Sequence, residues 1–285
     1  MENICTNYIT EKNNEIKSSL GRKRGLSVSA CIGMLKAEFD TDKVAAEMVE
    51  KYFDVEGHKY YHMTKEAIVE SWEIKKNAAC DRGMLFDSFV EQMLEIRNPD
   101  SYQEWSLDNN ISSDQFMQAA MAGFKNIITK YAELGYTTVV GTEIPLFVYN
   151  EFNHDEVVNG RCDCLLYNPT TRHFLVIDWK TNEQIKQTGF EKMHGPMRNF
   201  PSCDYYGYIL QVFFYKKALI ETYKLGTQDT VHVAICQMGV PEEPHYKIFN
   251  ESLLGYTPSL MNEIIKYCYI KKSYKAKAKA DAENK

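Results

Sequence analysis

The 285-residue sequence has no apolar run near the roughly 18 residues that a membrane-spanning helix needs, and residues 1–20 lack the apolar stretch of a secretory signal. A soluble, intracellular protein with no membrane partner is expected. No CxxC pair occurs among the eight cysteines (Cys5, Cys31, Cys80, Cys162, Cys164, Cys203, Cys236, Cys268), so neither a zinc motif nor a dithiol redox motif is present. The cysteines read as free thiols in a reducing compartment. Positive charge is in deficit: 33 Lys and Arg stand against 39 Asp and Glu, a net −6. That excludes a protein that coats nucleic acid through many phosphate contacts. It leaves room for an enzyme whose acidic centre holds a cation while local basic patches carry a strand.

What is present is ordinary for a globular chain, 44% hydrophobic and 25% charged residues, without an internal repeat. Residues 1–25 read as a flexible segment ending in the basic loop Arg22, Lys23 and Arg24. Residues 26–130 read as helical. Apolar positions recur at helical spacing after Thr64, over Leu85 to Ile96 and after Ser113. The pattern then changes to strands over Thr137 to Tyr149, Val157 to Tyr167 and Arg172 to Trp179, with Pro145 marking an edge position or a bend and Asn168-Pro169-Thr170 a turn. An aromatic-rich helix from about Tyr205 to Tyr223 follows, then strands over Val231 to Gln237 and His245 to Phe249, and a helix over Ser259 to Tyr269. The expected class is α/β, with a core domain over 131–270 and a solvated Lys-rich tail over 271–285.

Chemistry concentrates in Gly160-Arg161-Cys162-Asp163 and Ile177-Asp178-Trp179-Lys180-Thr181. Strand alternation puts Phe174, Val176, Asp178 and Lys180 on one face and Leu175, Ile177 and Trp179 on the other. A hairpin turning at Asn168-Pro169 brings Asp163 toward Asp178. Two carboxylates so placed repel unless a cation lies between them, and hard Mg²⁺ or Mn²⁺ prefers such oxygen ligands. A lone strand-end Asp beside a Lys is ordinarily a surface ion pair. Lys180 next to a divalent ion makes sense where an anionic phosphate is cut and charge develops on its oxygens.

A Glu on the first strand, "GRxD" on the second and "IDWKT" on the third resemble the PD-(D/E)xK nuclease superfamily in its RecB-like exonuclease branch. That branch includes the mitochondrial genome-maintenance exonuclease and phage recombination nucleases. The resemblance implies a restriction-endonuclease-like core, a central mixed sheet flanked by helices. It implies Lys180 as catalytic lysine, Asp163, Asp178 and the Trp179 carbonyl as metal ligands, and Glu143 as the acidic residue of the first strand. It also implies roles for Gln211 and Tyr215 as the "QxxxY" pair. In the upstream "GTxxHxxxE" helix pattern, Asp87 stands where the family has a metal-contacting His. CRISPR-associated members carry an iron–sulfur cluster held by cysteines near both ends of the core; Cys268 alone beyond the core cannot supply one, so no cluster is expected.

On this resemblance the chain is expected to be a Mg²⁺- or Mn²⁺-dependent deoxyribonuclease, an exonuclease acting from single-stranded or duplex DNA ends in recombination or repair. An endonuclease on the same core and a non-catalytic DNA-binding relative are the alternatives. Arg22, Lys23, Arg24, Lys186, Lys192 and Arg198 are candidate phosphate contacts, and Phe200, Tyr205, Tyr206 and Tyr208 candidate base-stacking residues, each with an ordinary reading as surface charge or core.

Overall fold

The computed structural model describes residues 2–20, 25–96, 105, 113–151, 153–225, 230–249 and 255–283. Its contacts divide the chain into two units, residues 38–86 and the remainder (1–37 with 87–285). The sequence reading had instead grouped residues 26–130 together. The division falls inside one continuous helix, where no loop or linker signal marks it.

Helix α2 (Val28–Leu35) belongs to the larger unit, and the smaller unit holds α3 (Thr41–Tyr52) and the first part of α4 (Lys65–Ile96). Asp40 caps α3 by accepting from the Lys43 amide, and the Thr64 hydroxyl accepts from the Ala67 amide at the start of α4. A small core of Ala45, Tyr60 and Ile68 is tied by the Trp72 indole N–H, which donates to the Tyr60 hydroxyl at 2.7 Å.

The larger unit is built on a six-stranded mixed sheet. Strands β2 (Thr138–Asn150), β3 (Asn153–Asn168) and β4 (His173–Lys180) form the expected antiparallel meander, with β2 paired to β3 alone, as Pro145 suggested. A long connection carrying α6 (Asp204–Lys217) returns the chain so that β5 (Thr230–Met238) lies parallel to β4. The strand β6 (Tyr246–Phe249) then pairs antiparallel with β5. The two-residue strand β1 (Leu26–Ser27) lies parallel to the first half of β3, on the edge that β4 uses further along. The α/β architecture read from the sequence, a mixed sheet flanked by helices after a mostly helical N-terminal part, is what the structure shows.

The alternation on β4 is clean. Phe174 and Val176 join the main core with Tyr205, Ile209 and Phe213 of α6. On the other face Trp179 meets Phe124 of α5 (Gln115–Glu133) edge-on at 5.7 Å between ring centroids, and Phe124 meets Phe89 at 5.3 Å. Such pairs add about 0.5–1.5 kcal/mol beyond the area they bury. Each face of β4 is therefore covered, and the polar pair Asp178 and Lys180 is confined to the strand's end.

Two expectations need correction. Residues 2–20 form a helix, α1 (Glu2–Leu20), where the sequence suggested a flexible segment. Among its residues whose burial is described, Ile9, Asn13 and Ile16 form the buried stripe, and the Asn13 side-chain oxygen accepts from the Tyr223 hydroxyl. So narrow a stripe forms a helix because of what it docks on, not through its own propensity. The closing helix α7 runs Pro258–Glu283, well past the Tyr269 end read from the sequence. The basic loop Arg22, Lys23 and Arg24 lies outside the described residues. Among the described residues no helix is long and apolar enough to cross a membrane.

Candidate active site

The site begins with a turn. Asn168 Oδ1 accepts from the amides of Thr170 and Thr171 at 3.0 and 3.1 Å, and its Nδ2 donates to the Leu134 carbonyl. This side-chain-closed turn sets the β3–β4 register, with Cys164 opposite Ile177, which places Asp163 directly across from Asp178. On the other edge of β3, Thr142 and Ile144 pair with Cys164 and Cys162, so Glu143 stands across from Asp163. Glu143, Asp163 and Asp178 thus form one row across three strands.

The row is acidic and enclosed. Asp178 is fully buried, and its Oδ2 forms a 2.7 Å ion pair with Lys180 Nζ, whose side chain is 15% exposed. Beyond Lys180 and the neighbouring Asp163 carboxyl, which both favour its charged form, no side-chain or backbone donor of the described residues meets the Asp178 oxygens. Asp163 Oδ2 accepts from the Trp179 backbone amide at 2.9 Å. Burial pushes both aspartate carboxyls above the usual range. For Asp163 the charge on Asp178 adds to the effect, while Lys180 opposes it in both. Burial disfavours the Lys180 ammonium, but the charges of Asp178 and Asp163 outweigh it and hold its proton to higher pH. Lys180 is therefore charged at neutral pH.

Lys180 is held by neighbours that the sequence reading did not single out for this task. Its Nζ lies 4.7 Å from the centre of the Tyr208 ring, and the Tyr208 hydroxyl donates to Asn182 Oδ1 at 3.0 Å. From β5, Gln237 Nε2 donates to the carbonyls of Asn182 and Glu183, both at 2.9 Å. The chain beyond β4 is thus pinned from the helix and from the sheet. Gln237 carried no sequence signal, because only the parallel β4–β5 register puts it beside Lys180. Tyr205, once a base-stacking candidate, is buried in the core. Tyr208, another, packs against Lys180.

Gln211 and Tyr215 share a helix face as their spacing predicts, with Gln211 Nε2 donating to Tyr215 Oη at 3.2 Å. Burial raises the Tyr215 phenol, and the charges of Asp178 and Asp163 add to it, so the ring lies within their field. Gly160 permits this approach. A Cβ there would stand 2.8 Å from Tyr215 Cε1 and 2.9 Å from Val28 Cγ2.

Glu143 has a φ of +47°, a left-handed conformation rare for a non-glycine residue inside a strand. Strain of this kind costs on the order of 1–3 kcal/mol and concentrates where function needs a particular side-chain placement. Glu143 Oε2 accepts from Arg161 Nε at 3.0 Å. Glu143→Gly is therefore expected to raise thermal stability by roughly 1 kcal/mol while removing the carboxylate. Melting curves test this, and a lower melting point would show that the Arg161 contact outweighs the backbone strain.

Asp87 on α4 keeps more than a third of its surface open, yet enough protein surrounds it that burial, then the charge of Glu143, pushes its carboxyl up to about 6. Lys180 and Asp178 also act on it, which places Asp87 within the field of the row. Lys186, Lys192 and Arg198 are exposed on the segment between β4 and α6. Trp179 offers only its backbone, since its indole lies on the opposite face.

Among the described residues no group of three or more His, Cys, Asp or Glu side chains stands close enough to hold a metal ion. The donors nevertheless suit a hard divalent cation. Two opposed carboxylates lie on rigid strands, and the buried Asp178 carboxylate meets no donor of the described residues beyond Lys180 and the Asp163 carboxyl. Raised carboxyls also give a sign. The folded protein binds more protons than the unfolded chain between about pH 4, the ordinary carboxylate value, and about 6, the value for Asp87. Stability is therefore lost as pH rises through that window. Scanning calorimetry should show the metal-free protein melting lower at pH 7 than at pH 5, with Mn²⁺ restoring more stability at pH 7. A melting temperature that ignores Mn²⁺ at both pH values would count against a cation site.

No family model matches the chain, and no curated protein matches it. Among solved structures it is similar to a protein from Eubacterium rectale provisionally named an exonuclease, at 12% identity and a TM-score of 0.36, over 84% of this chain and 85% of that one. A likeness at that level carries no argument about activity.

Proposed function

We propose that the chain is a metal-dependent nuclease that hydrolyses phosphodiester bonds of DNA, working inside the cell as an exonuclease from single-stranded or duplex ends. The observation that carries the hydrolytic reading is the cross-strand pair Asp163 and Asp178, buried with the Lys180 ammonium beside it. Two carboxylates facing each other on rigid strands, with one cationic side chain beside them, are costly to a fold that gains nothing else from them.

Asp163 and Asp178 would hold Mg²⁺ or Mn²⁺, with Glu143, the Trp179 carbonyl and Asp87 as further ligands. When bound, the cation supplies Lewis-acid stabilisation of charge on the phosphoryl oxygens. Lys180, charged at neutral pH and fixed by Tyr208 and Asp178, donates hydrogen bonds toward the same developing charge. Tyr215 and Gln211 line the helix side of the row. In the reaction a water oxygen bonds to phosphorus as the water gives up one proton, one ester P–O bond breaks, and the leaving oxygen takes up a proton in its place. Preference for DNA ends comes from the sequence resemblance.

The test compares linear, nicked and closed circular DNA with Mg²⁺ or Mn²⁺, wild type beside Lys180→Ala. Cleavage of linear DNA that spares the circle supports the full reading. Cutting of the circle makes the protein an endonuclease on the same centre. Inactivity of wild type on every substrate, with no divalent-ion binding by calorimetry, would leave a non-catalytic DNA-binding relative.

A further inference from the structure

Glu143 cannot serve two cations at once. Its Oε2 is 3.0 Å from Arg161 Nε, and the two side chains are 32% and 70% exposed. Arg161 sits on β3 two residues before Asp163, so strand alternation aims it along the same face as the acidic row. Glu143 is brought to this position by a left-handed backbone, across from Asp163, and yet is turned to the guanidinium. As the side chains stand, the described residues offer no group of three ligands. Glu143, one of the carboxylates that could complete such a group, is held by Arg161.

We propose that Arg161 is a substrate-sensing residue, which keeps Glu143 from the cation position in the free protein and releases it when a phosphodiester anion draws the guanidinium away. A guanidinium has five N–H donors in a planar fork, and Nε accounts for one. A phosphate met bidentately by the others is a stronger partner than a half-buried carboxylate held through one nitrogen. Arg161 also adds a positive charge beside a cation site, which weakens divalent-ion binding until an anion neutralises it. The third ligand then arrives with the substrate, so cation and DNA bind cooperatively. The identity of the anion rests on the nuclease reading; the competition between Arg161 and the cation for Glu143 does not.

Calorimetric titration of the full chain with Mn²⁺ alone tests the competition. Arg161→Gln, a change at an exposed side chain, is expected to bind Mn²⁺ about threefold to tenfold more tightly than wild type. That gain should vanish in the Glu143→Gln background, because the two residues act through one contact. An unchanged affinity in Arg161→Gln overturns the proposal. So does a gain that persists without Glu143, which would mean simple charge repulsion. A phosphorothioate-linked dodecathymidylate then serves as the anion. It should tighten Mn²⁺ binding to wild type and leave Arg161→Gln uncoupled, and Mn²⁺ should tighten oligonucleotide binding by the same factor. If wild type binds Mn²⁺ as expected but no oligonucleotide, the nuclease reading and the anion half of the proposal both fall, while the hold on Glu143 stands.

Discussion

Asp163→Asn is expected to abolish DNA cleavage and, in the absence of metal, to raise the melting temperature. The asparagine oxygen still accepts from the Trp179 amide, so the local hydrogen bond survives. What disappears is a buried negative charge whose carboxyl is already pushed up, first by burial and then by the charge on Asp178. Asp178 keeps its 2.7 Å pair with Lys180, and its charge no longer acts against a carboxyl at position 163. Removing that conflict should stabilise the metal-free protein by about 1 kcal/mol, or roughly 2–4 °C for a chain of this size. The same change deletes a proposed cation ligand. A bound metal contributes several kcal/mol to the transition state, so the rate should fall by about a thousandfold or more. Melting curves with and without Mn²⁺, beside a rate assay, give both signs. A variant that is less stable and unable to bind Mn²⁺ would fit the same site, but one that is less stable with Mn²⁺ affinity intact would make Asp163 a structural residue.

Lys180→Ala should also remove activity, by about a hundred- to a thousandfold, the usual loss when one donor to a developing oxyanion is deleted. Its effect on stability has the opposite sign. Among the described residues the Lys180 ammonium is the cationic side chain paired with Asp178, and without it two enclosed carboxylates face each other uncompensated. Removing one partner of a buried pair costs about 3–5 kcal/mol; the 15% exposure of Lys180 reduces that figure. Mn²⁺ should therefore stabilise Lys180→Ala more than wild type. The double variant Asp163→Asn with Lys180→Ala should recover part of the lost stability and none of the activity. If Lys180→Ala and wild type melt together, the ion pair contributes nothing to the fold and the electrostatic account of the site fails.

Much of this centre was legible before any coordinates. Alternation along a strand put Asp178 and Lys180 on one face, and the Asn168-Pro169 turn pointed to the hairpin that sets Asp163 across from Asp178. Both rules are local, acting over two residues or across one turn, and local rules survive in sequence. The spacing of Gln211 and Tyr215 on a helix face was read in the same way.

Other features needed the whole fold. The stripe of Ile9, Asn13 and Ile16 is too weak to predict a helix, and α1 docks on residues far away in sequence: Tyr223 donates to Asn13 and its carbonyl accepts from Tyr8. The division within α4 leaves no mark in composition, since the helix continues through it. Gln237 and Tyr208 became supports of Lys180 only when β5 was laid parallel to β4 and α6 was packed on the sheet.

By itself, then, the sequence determined the α/β class, the meander, and the residue types of an acidic centre with one lysine, because periodicity and turn chemistry are properties of neighbouring residues. Tertiary structure decided which of those residues face one another. It set Glu143 in a left-handed conformation opposite Asp163, turned it to Arg161, and buried the Asp178 and Lys180 pair at the end of β4. Those outcomes depend on register and burial, which are settled only when distant strands pair and exclude water.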